Sequence, residues 1–559
     1  MGSLSNSTSP LPLALNADEQ WSSKLLATCG LAAITFIAVS SWLSSSKEPP
    51  SLWDKVPFVS NTLQFLTNNE LFMKRTIKLL EGRNLAKFWL GPIKFYLITG
   101  PQNMQTLFGR GNRVGNEDIF VHNVFPVLYK MPKEHVQRFA DDKSGRGKVP
   151  APGFEKVPQE KRFWASYEHV HTEYLARTAY LKPVIEVFRG IFSDVLEHNF
   201  KVGESNTISV IGFCKHEVTE SAMKTLLGPT IFELNPTFLD AFWEFDDNVF
   251  MLTLGFPKWL YSRPYKAHDR YLGMIENYAK SAKAKFDWDG PQRDSPWEPH
   301  FGARVCREIA KWFTEADFLD QSVSGALGAL LFAQNSNTIP TTMWMILELA
   351  RDPVLLKAVK EEVATTEFID SETGQRSFDI QKLATLPLLQ SVFTETLRLR
   401  MNFNIIRQVK EPFTVDGFTL KKGSMLQAPM MVAHHDEAVW GSTGHPASVF
   451  WAERHIKYLE DTDDFGNVTQ KRTFAMAGRP SSYFPFGGGP PVCPGRHFSK
   501  HEIMTTVGLM VSKFEFESIE WTQLDGSPSD RMASSDQRYC GAGAMPPDRD
   551  MKIRWKRIW

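Results

Sequence analysis

The stretch Phe486-Gly487-Gly488-Gly489-Pro490-Pro491-Val492-Cys493-Pro494-Gly495 sets one thiol where the backbone must turn tightly. Its fixed points are Phe486, Gly489, Cys493 and Gly495, a spacing written F-x-x-G-x-x-x-C-x-G. Glycine and proline together let such a segment fold back on itself and approach a flat surface closely. A helix is expected directly after it, in Arg496-His497-Phe498-Ser499-Lys500-His501-Glu502-Ile503. A thiolate at the mouth of a helix gains from unpaired N–H groups and from the positive end of the helix dipole. An axial ligand to ferric iron needs that support, because its negative charge must persist in a dry pocket. Residue types alone leave three other readings open: an inert buried thiol, a nucleophile paired with His497, or a disulfide with Cys540.

A second motif, Glu395-Thr396-Leu397-Arg398, puts a carboxylate and a guanidinium on one helix face. Alone, such a pair is a surface salt bridge worth little. Here it precedes the cysteine loop, and Phe450-Trp451-Ala452-Glu453-Arg454-His455 lies between them. In this order the motifs resemble the cytochrome P450 monooxygenases, over essentially the whole chain after its N-terminal segment. The resemblance implies a mainly α (α+β) fold with a long central helix, small β-sheets and an N-terminal transmembrane anchor. It also implies haem b, with Cys493 as axial ligand to the iron and Phe486, Gly489 and Gly495 shaping the loop around it. A thiolate there pushes electron density through iron to favour O–O cleavage. In that family the E-x-x-R helix is locked by an arginine from a later segment, and Arg454 is the match. Glu395, Arg398 and Arg454 are therefore expected to support the cysteine loop. Two planar guanidiniums can satisfy several lone pairs of one buried carboxylate, and losing either strands a charge.

The central helix departs from the family pattern. Counted back from Trp344 and Pro353, the oxygen-side motif falls on Ala333-Gln334-Asn335-Ser336-Asn337-Thr338-Ile339-Pro340. Ser336 stands where the family commonly has an acid and Asn337 where it has a threonine; a one-residue slip would give that role to Thr338. Ser336, Asn337 and Thr338 are the candidate catalytic residues, with a polar patch between helices as the alternative. Pro340 cannot donate to the Ser336 carbonyl, so the helix is expected to open or kink there, beside an amide able to hold water. A similar Asn-Thr-Ile-Pro stretch occurs in the branch of sterol 7α-hydroxylases and prostacyclin synthase, which contains oxygenases and an isomerase. Arg407 lies where the family often binds a haem propionate, although a solvated strand charge reads equally well. Pro491 replaces a frequent Arg or His, so donors from residues 158–176 must do more. Arg496, Lys500 and the nearby histidines form either a solvated face or a docking patch for an acidic flavoprotein.

The elements that must position these groups are mainly helical. Helices are expected between Pro158 and His198, around Ile211–Leu227, and from about Glu315 to Ala350, the last with an apolar run too short to span a membrane. Lys94–Pro101 reads as a strand and turn, Phe413–Leu420 as a hairpin with an Asp-Gly turn, and 287–302 as a loop. Phe250–Tyr265 is apolar and proline-interrupted, either a buried loop or a surface that dips into a membrane beside a substrate entrance. Lysine plus arginine equal aspartate plus glutamate at 63 each, so no nucleic-acid partner is indicated. No C-x-x-C pair or Cys/His cluster suggests zinc, and five scattered cysteines suit a reducing compartment.

Residues 25–43 carry no charge and are long enough to span a bilayer, for which about 20 apolar residues suffice. They read as an uncleaved anchor rather than a secretory signal, because a long polar segment precedes them. The expected division is a disordered lumenal tail at 1–24, the anchor at 25–43, a Pro-containing linker at 44–56 and the catalytic domain at 57–559. Lys47 and Lys55 follow the span, favouring a cytosolic domain on the endoplasmic reticulum membrane, with Asn6 a lumenal glycosylation site. The expected activity is oxygen insertion into a lipophilic substrate such as a sterol, terpenoid or other secondary metabolite. NADPH would act through a cytochrome P450 reductase, with cytochrome b5 as a further donor. The alternatives are a haem-thiolate isomerase or dehydratase acting on a peroxide without a reductase, and a haem protein that only binds a ligand.

Overall fold

A computed structural model describes residues 48–559 apart from 110–112, 256, 372–373, 375, 463–467, 477–480 and 490. The central helix, Asp320–Ala350, is apolar around nearly its whole circumference, which suits burial rather than a surface position. Leu327, Leu331, Ile339, Met345 and Leu347 are fully buried on it. The helices Arg263–Lys285, Arg304–Glu315 and Arg496–Lys513 pack along it. It begins later than the sequence pattern predicts because Asp317, at φ 57°, breaks the chain from the preceding helix. Pro340 does not interrupt it: Thr341 Oγ1 and Thr342 Oγ1 donate to the carbonyls of Asn337 and Thr338 at 2.7 and 2.9 Å. These hydroxyls bond the two carbonyls after that of Ser336, the one Pro340 leaves without a helical donor.

The main sheet runs in the order Leu85–Leu90, Ile93–Ile98, Met425–Pro429, Met401–Val409, Ala542–Ala544, with Val114–Gly115 also paired to Met401–Val409. The strand Met401–Val409 follows directly on the helix Pro387–Arg400, so the sheet fixes that helix's C-terminal end. Phe514–Thr522, Asp550–Arg557 and Ser205–Ser209 make a separate three-stranded sheet. The hairpin Phe413–Leu420 turns on Asp416 and Gly417, both at positive φ as an Asp-Gly turn requires. The fold is mainly helical with small sheets. The expected helical stretch from 158 to 198 is two helices, Phe163–Ala176 and Thr178–Asn199, parted at the extended Arg177.

The tail at 1–24 with Asn6, and the anchor at 25–43, lie outside the described residues. No helix among the described residues is long and apolar enough to cross a membrane. The expected linker is, from Glu48 onward, bound to the body. Glu48 sits between Lys87, Lys94 and Lys421 at 2.6, 2.9 and 3.0 Å, and Ser51 bridges to Lys87 beside it. Within Phe250–Tyr265 the buried-loop reading does not hold: Trp259 is 84% exposed and Leu260 60%.

One close approach fixes how the central helix is packed. A Cβ on Gly325 would lie 2.1 Å from the carbonyl oxygen of Tyr129. Gly325→Ala is expected to cost about 1–3 kcal/mol through forced backbone movement. A clear fall in Tm of the purified protein checks this, and an unchanged Tm would show that the approach is not constraining.

Candidate active site

Glu395 and Arg398 are both fully buried on the helix Pro387–Arg400. Arg398 Nε and Nη2 donate to the two oxygens of Glu395, each at 2.8 Å, and Arg454 Nε donates to Oε1 at 2.8 Å. The ring of His455 approaches Oε2 at 3.3 Å. Burial alone would raise the Glu395 pKa; hydrogen bonds from Arg398, His455 and Arg454 outweigh it and hold the carboxyl at about 2. The remaining donors of Arg454 go to the carbonyls of Trp440, His445, Pro446 and Val449. The cluster thereby ties the helix to the irregular segment 440–455, which has little regular structure of its own.

The link from this cluster to the cysteine loop runs through His434. Arg398 Nη1 donates to the His434 carbonyl at 2.6 Å, and His434 Nε2 accepts the N–H of Phe484 at 3.1 Å. A ring nitrogen can accept only if it carries no proton. Burial, helped by the charges of His435 and Arg398, depresses the His434 pKa to about 3 and so keeps it neutral. Tyr483 OH donates to the Thr394 carbonyl, a second tie between helix and loop.

Beyond Phe484 the loop folds back as its composition demands. Gly487 N–H donates to the Phe484 carbonyl at 2.8 Å, and Cys493 N–H to the Phe486 carbonyl at 3.0 Å. Gly489 has φ 74°, and a Cβ there would sit 2.8 Å from the Phe108 carbonyl oxygen. The helix Arg496–Lys513 starts immediately after Gly495. Burial pushes the Cys493 thiol pKa up, while the N–H groups of Gly495 and Arg496 and the Arg496 charge pull it down. Cys493 is nevertheless exposed to solvent rather than part of the core. It is not bonded to Cys540, which is buried and unpaired elsewhere. Arg496 and Lys500 are both half-buried, Arg496 donating to the Cys493 carbonyl and Lys500 Nζ to Gln390 Oε1 at 2.7 Å.

On the central helix, Ala333 is exposed among buried neighbours and Asn337 lies one turn on, along the same face. Asn337 Oδ1 accepts the Ala544 N–H at 2.9 Å, so its acceptor is committed to the main sheet and its Nδ2 remains as donor. At 100° per residue, Ser336 lies on one flank of this face, and Gln334 and Thr338 on the other. Thr338 Oγ1 pairs with Ser499 Oγ at 3.1 Å, and Gln334 Nε2 donates to Glu502 Oε2 at 3.0 Å, both across to the helix after Cys493. Ser336 Oγ donates instead to Asp246 Oδ1 at 2.6 Å, at the end of the helix Phe238–Asp246.

Arg407 is half-buried on the strand Met401–Val409, and among the described residues no carboxylate lies within ion-pair distance of it. Burial lowers its pKa to about 10, and the nearby Arg146 charge adds to that. Arg146 is itself paired with Glu117 and Glu168 at 3.4 and 3.1 Å, but its Nη2 has no hydrogen-bond partner among the described residues, so Arg407 and this group suit a ligand that brings a carboxylate. Of the expected donors from 158–176, Arg162 serves the carbonyls of Gly147 and Lys148, and the Trp164 N–H serves Phe139. Trp164 also carries the Arg146 guanidinium over its ring at 4.4 Å. An exposed thiol at a helix mouth, a glycine loop and these arginines together fit haem, a flat group with two carboxylates.

Sequence reasoning missed His434, Arg146, Asp246 and Glu502. None sits at a diagnostic spacing from the motifs; the one sequence signal for a carboxyl from another element is Ser336 standing in place of an acid.

A family model described as Cytochrome P450 matches residues 50–534. The cytochrome P450 monooxygenase calL of Penicillium decumbens is 41% identical over 524 residues, 94% of this chain and 96% of that one. The cholesterol 7-alpha-monooxygenase of Cricetulus griseus is 28% identical over 369 residues, 63% of this chain and 66% of that one. Among solved structures, retinoic acid-bound cyanobacterial CYP120A1 superposes with a TM-score of 0.61 at 16% identity, covering 91% of this chain and 99% of that one, which shows a shared fold.

Arg454→Ala is expected to cost about 3–5 kcal/mol, because it strands a buried charge. The sign of the pH dependence follows from Glu395, whose folded pKa lies below its ordinary 4.5. Its contribution is present in full above pH 4.5 and is lost as pH falls toward 2. Melting curves across that range should show the stability gap between the unaltered protein and Glu395→Gln closing as pH falls. A gap independent of pH would contradict the assignment.

Proposed function

The chain belongs to the cytochrome P450 family as a monooxygenase, and on that premise we propose that it is membrane-anchored and oxidises a lipophilic secondary metabolite, such as a sterol or terpenoid. Likeness along nearly the full length of calL carries this reading, and the more distant likeness to a cholesterol monooxygenase supports the substrate class. When bound, the haem supplies dioxygen activation. Cys493 Sγ would hold its iron, the turn at Gly489 and Gly495 would let the backbone lie close beneath it, and Arg407 with Arg146 would hold its carboxylates. Ala333 leaves the facing surface of the central helix low, while Asn337 Nδ2 and Thr338 Oγ1 would position water and protons there. Electrons would come from NADPH through a reductase docking near Arg496 and His497, with cytochrome b5 as a further donor.

The uncharged segment 25–43 supports an endoplasmic reticulum anchor with the catalytic domain in the cytosol. Two exposed apolar groups support a membrane-facing side. Trp53 and Leu63 lie near the start of the body, and Trp259 and Leu260 lie in the later apolar stretch. Phe65 and Phe250, with ring centroids 6.2 Å apart, join these two regions. Asn6 would be lumenal and open to glycosylation.

The haem-loaded protein is expected to give a thiolate-type carbon monoxide difference spectrum that Cys493→Ala abolishes; a preserved spectrum would name another ligand. Screening sterols, terpenoids and alkaloids for a type-I shift identifies a substrate. Its oxidation is expected to need NADPH and reductase, whereas conversion of a peroxide substrate without either would establish the isomerase reading instead.

A further inference from the structure

Two carboxyl groups approach the polar stretch of the central helix from opposite sides, and neither belongs to it. Glu502 comes from the helix after Cys493 and meets Gln334; its other oxygen, Oε1, has no hydrogen-bond partner among the described residues. Asp246 comes from the end of the helix Phe238–Asp246 and meets Ser336 at 2.6 Å, a length typical of a charge-assisted O–H···O⁻ bond. Ser336 adjoins Asn337 and flanks the face that Ala333 leaves open. Asp246 is itself half-buried, and the next residue, Asp247, is exposed. The pair Asp246–Ser336 therefore links a partly exposed aspartate, beside the exposed Asp247, to the flank of the open face of the central helix.

We propose that Asp246, acting through Ser336, is the residue that holds and hands on protons at this face. This deepens the monooxygenase reading and rests on it. The chemistry needs only a reversal of one hydrogen bond. With Asp246 ionised, Ser336 Oγ–H donates to Oδ1 and its proton is turned away from the open face. When Asp246 takes a proton from solvent, its O–H donates to Ser336 Oγ, and the serine hydroxyl proton is released to point inward. Passing that proton on while Oγ takes the Asp246 proton returns the pair to its first state, with one proton moved and no charge left on serine.

The groups around Asp246 suit the role. Burial, with the Asp247 charge, raises its pKa to about 6, while Ser336 and Lys215 pull the other way. Lys215 lies over the Trp243 ring at 4.6 Å. Tyr539 OH donates to Asp247 at 3.3 Å from the C-terminal segment, with Arg538 beside it paired to Asp536. Tyr271, on the helix Arg263–Lys285, spends its hydroxyl on the Gly328 carbonyl and offers Asp246 no donor. An acid near neutrality, on a partly exposed residue and bonded to a hydroxyl, both holds a proton and gives it up at working pH.

The test has two arms. In the first, infrared spectra of the protein are recorded against pH with no substrate present. A protonated-carboxyl band titrating near pH 6 is expected, absent in Asp246→Asn and moved to higher pH in Ser336→Ala, which removes the donor favouring the ionised form. Absence of that band, or its survival in Asp246→Asn, would overturn the proposal. In the second, the haem-loaded protein with reductase oxidises NADPH without added substrate, and NADPH consumed is compared with hydrogen peroxide released. Two electrons and two protons per O2 give peroxide, and four of each give two waters. Asp246→Asn is expected to cut the water-forming share by roughly tenfold or more and to flatten its pH profile, with the carbon monoxide spectrum retained. Asp246→Glu should restore both.

An unaltered ratio and pH profile in Asp246→Asn would overturn the role of Asp246 while leaving the monooxygenase reading intact. The same holds if Glu502→Gln, and not Asp246→Asn, moves the ratio. If the unaltered protein oxidises no NADPH, the monooxygenase reading fails instead. Should Asp246→Asn lose its haem spectrum, Ser336→Ala decides, since the same loss of water formation is expected from it.

Discussion

The site depends on one buried carboxylate. Glu395 has no solvent, so its charge exists only because Arg398 and Arg454 surround it, and those arginines in turn have carbonyls to serve. A charge in this position is not a source of net stability by itself, because desolvation cancels much of its attraction. What it provides is mutual dependence. The helix Pro387–Arg400, the irregular segment 440–455 and the carbonyl of His434 must all be in place for any one of them to be satisfied. The Phe484 N–H then hangs from the neutral ring of His434, and the cysteine loop begins two residues later. Glycine and proline give this loop its tight turns, and the ties from His434 and Tyr483 fix where the turned segment sits.

The central helix solves a different problem. It must be buried along most of its length yet present polar groups to one face. Its apolar circumference supplies the burial, and its polar residues are each assigned to a different neighbour: Asn337 to the main sheet, Thr338 and Gln334 to the helix after Cys493, and Ser336 to Asp246. Residues adjacent in sequence thus bind elements far apart in the chain. The stretch acts as a junction between the sheet, the thiol side and the surface.

Much of this was legible in the sequence, for definable reasons. The cysteine loop could be read because its glycines and its thiol lie within ten residues, and the E-x-x-R pair because its spacing is one helical turn. The hairpin at Asp416-Gly417 could be read because positive φ selects those residue types. Arg454 was reachable only through the order of motifs. His434, Arg146 and Asp246 were not legible, since their meaning lies in partners contributed by distant segments, and a lone histidine or aspartate carries no period. Pro340 does not break the helix, because a proline removes a single donor, at the Ser336 carbonyl, while the packing of the turns on either side lies in distant segments that this local rule does not see.

The central claim is that the thiol of Cys493, presented by an externally braced loop at a helix mouth, is the ligand to iron. Iron-edge X-ray absorption on the haem-loaded protein tests it most directly. One sulfur bonded to iron, lost in Cys493→Ala while the fold persists, is the predicted result. Iron bound only to nitrogen and oxygen in the unaltered protein would contradict the account.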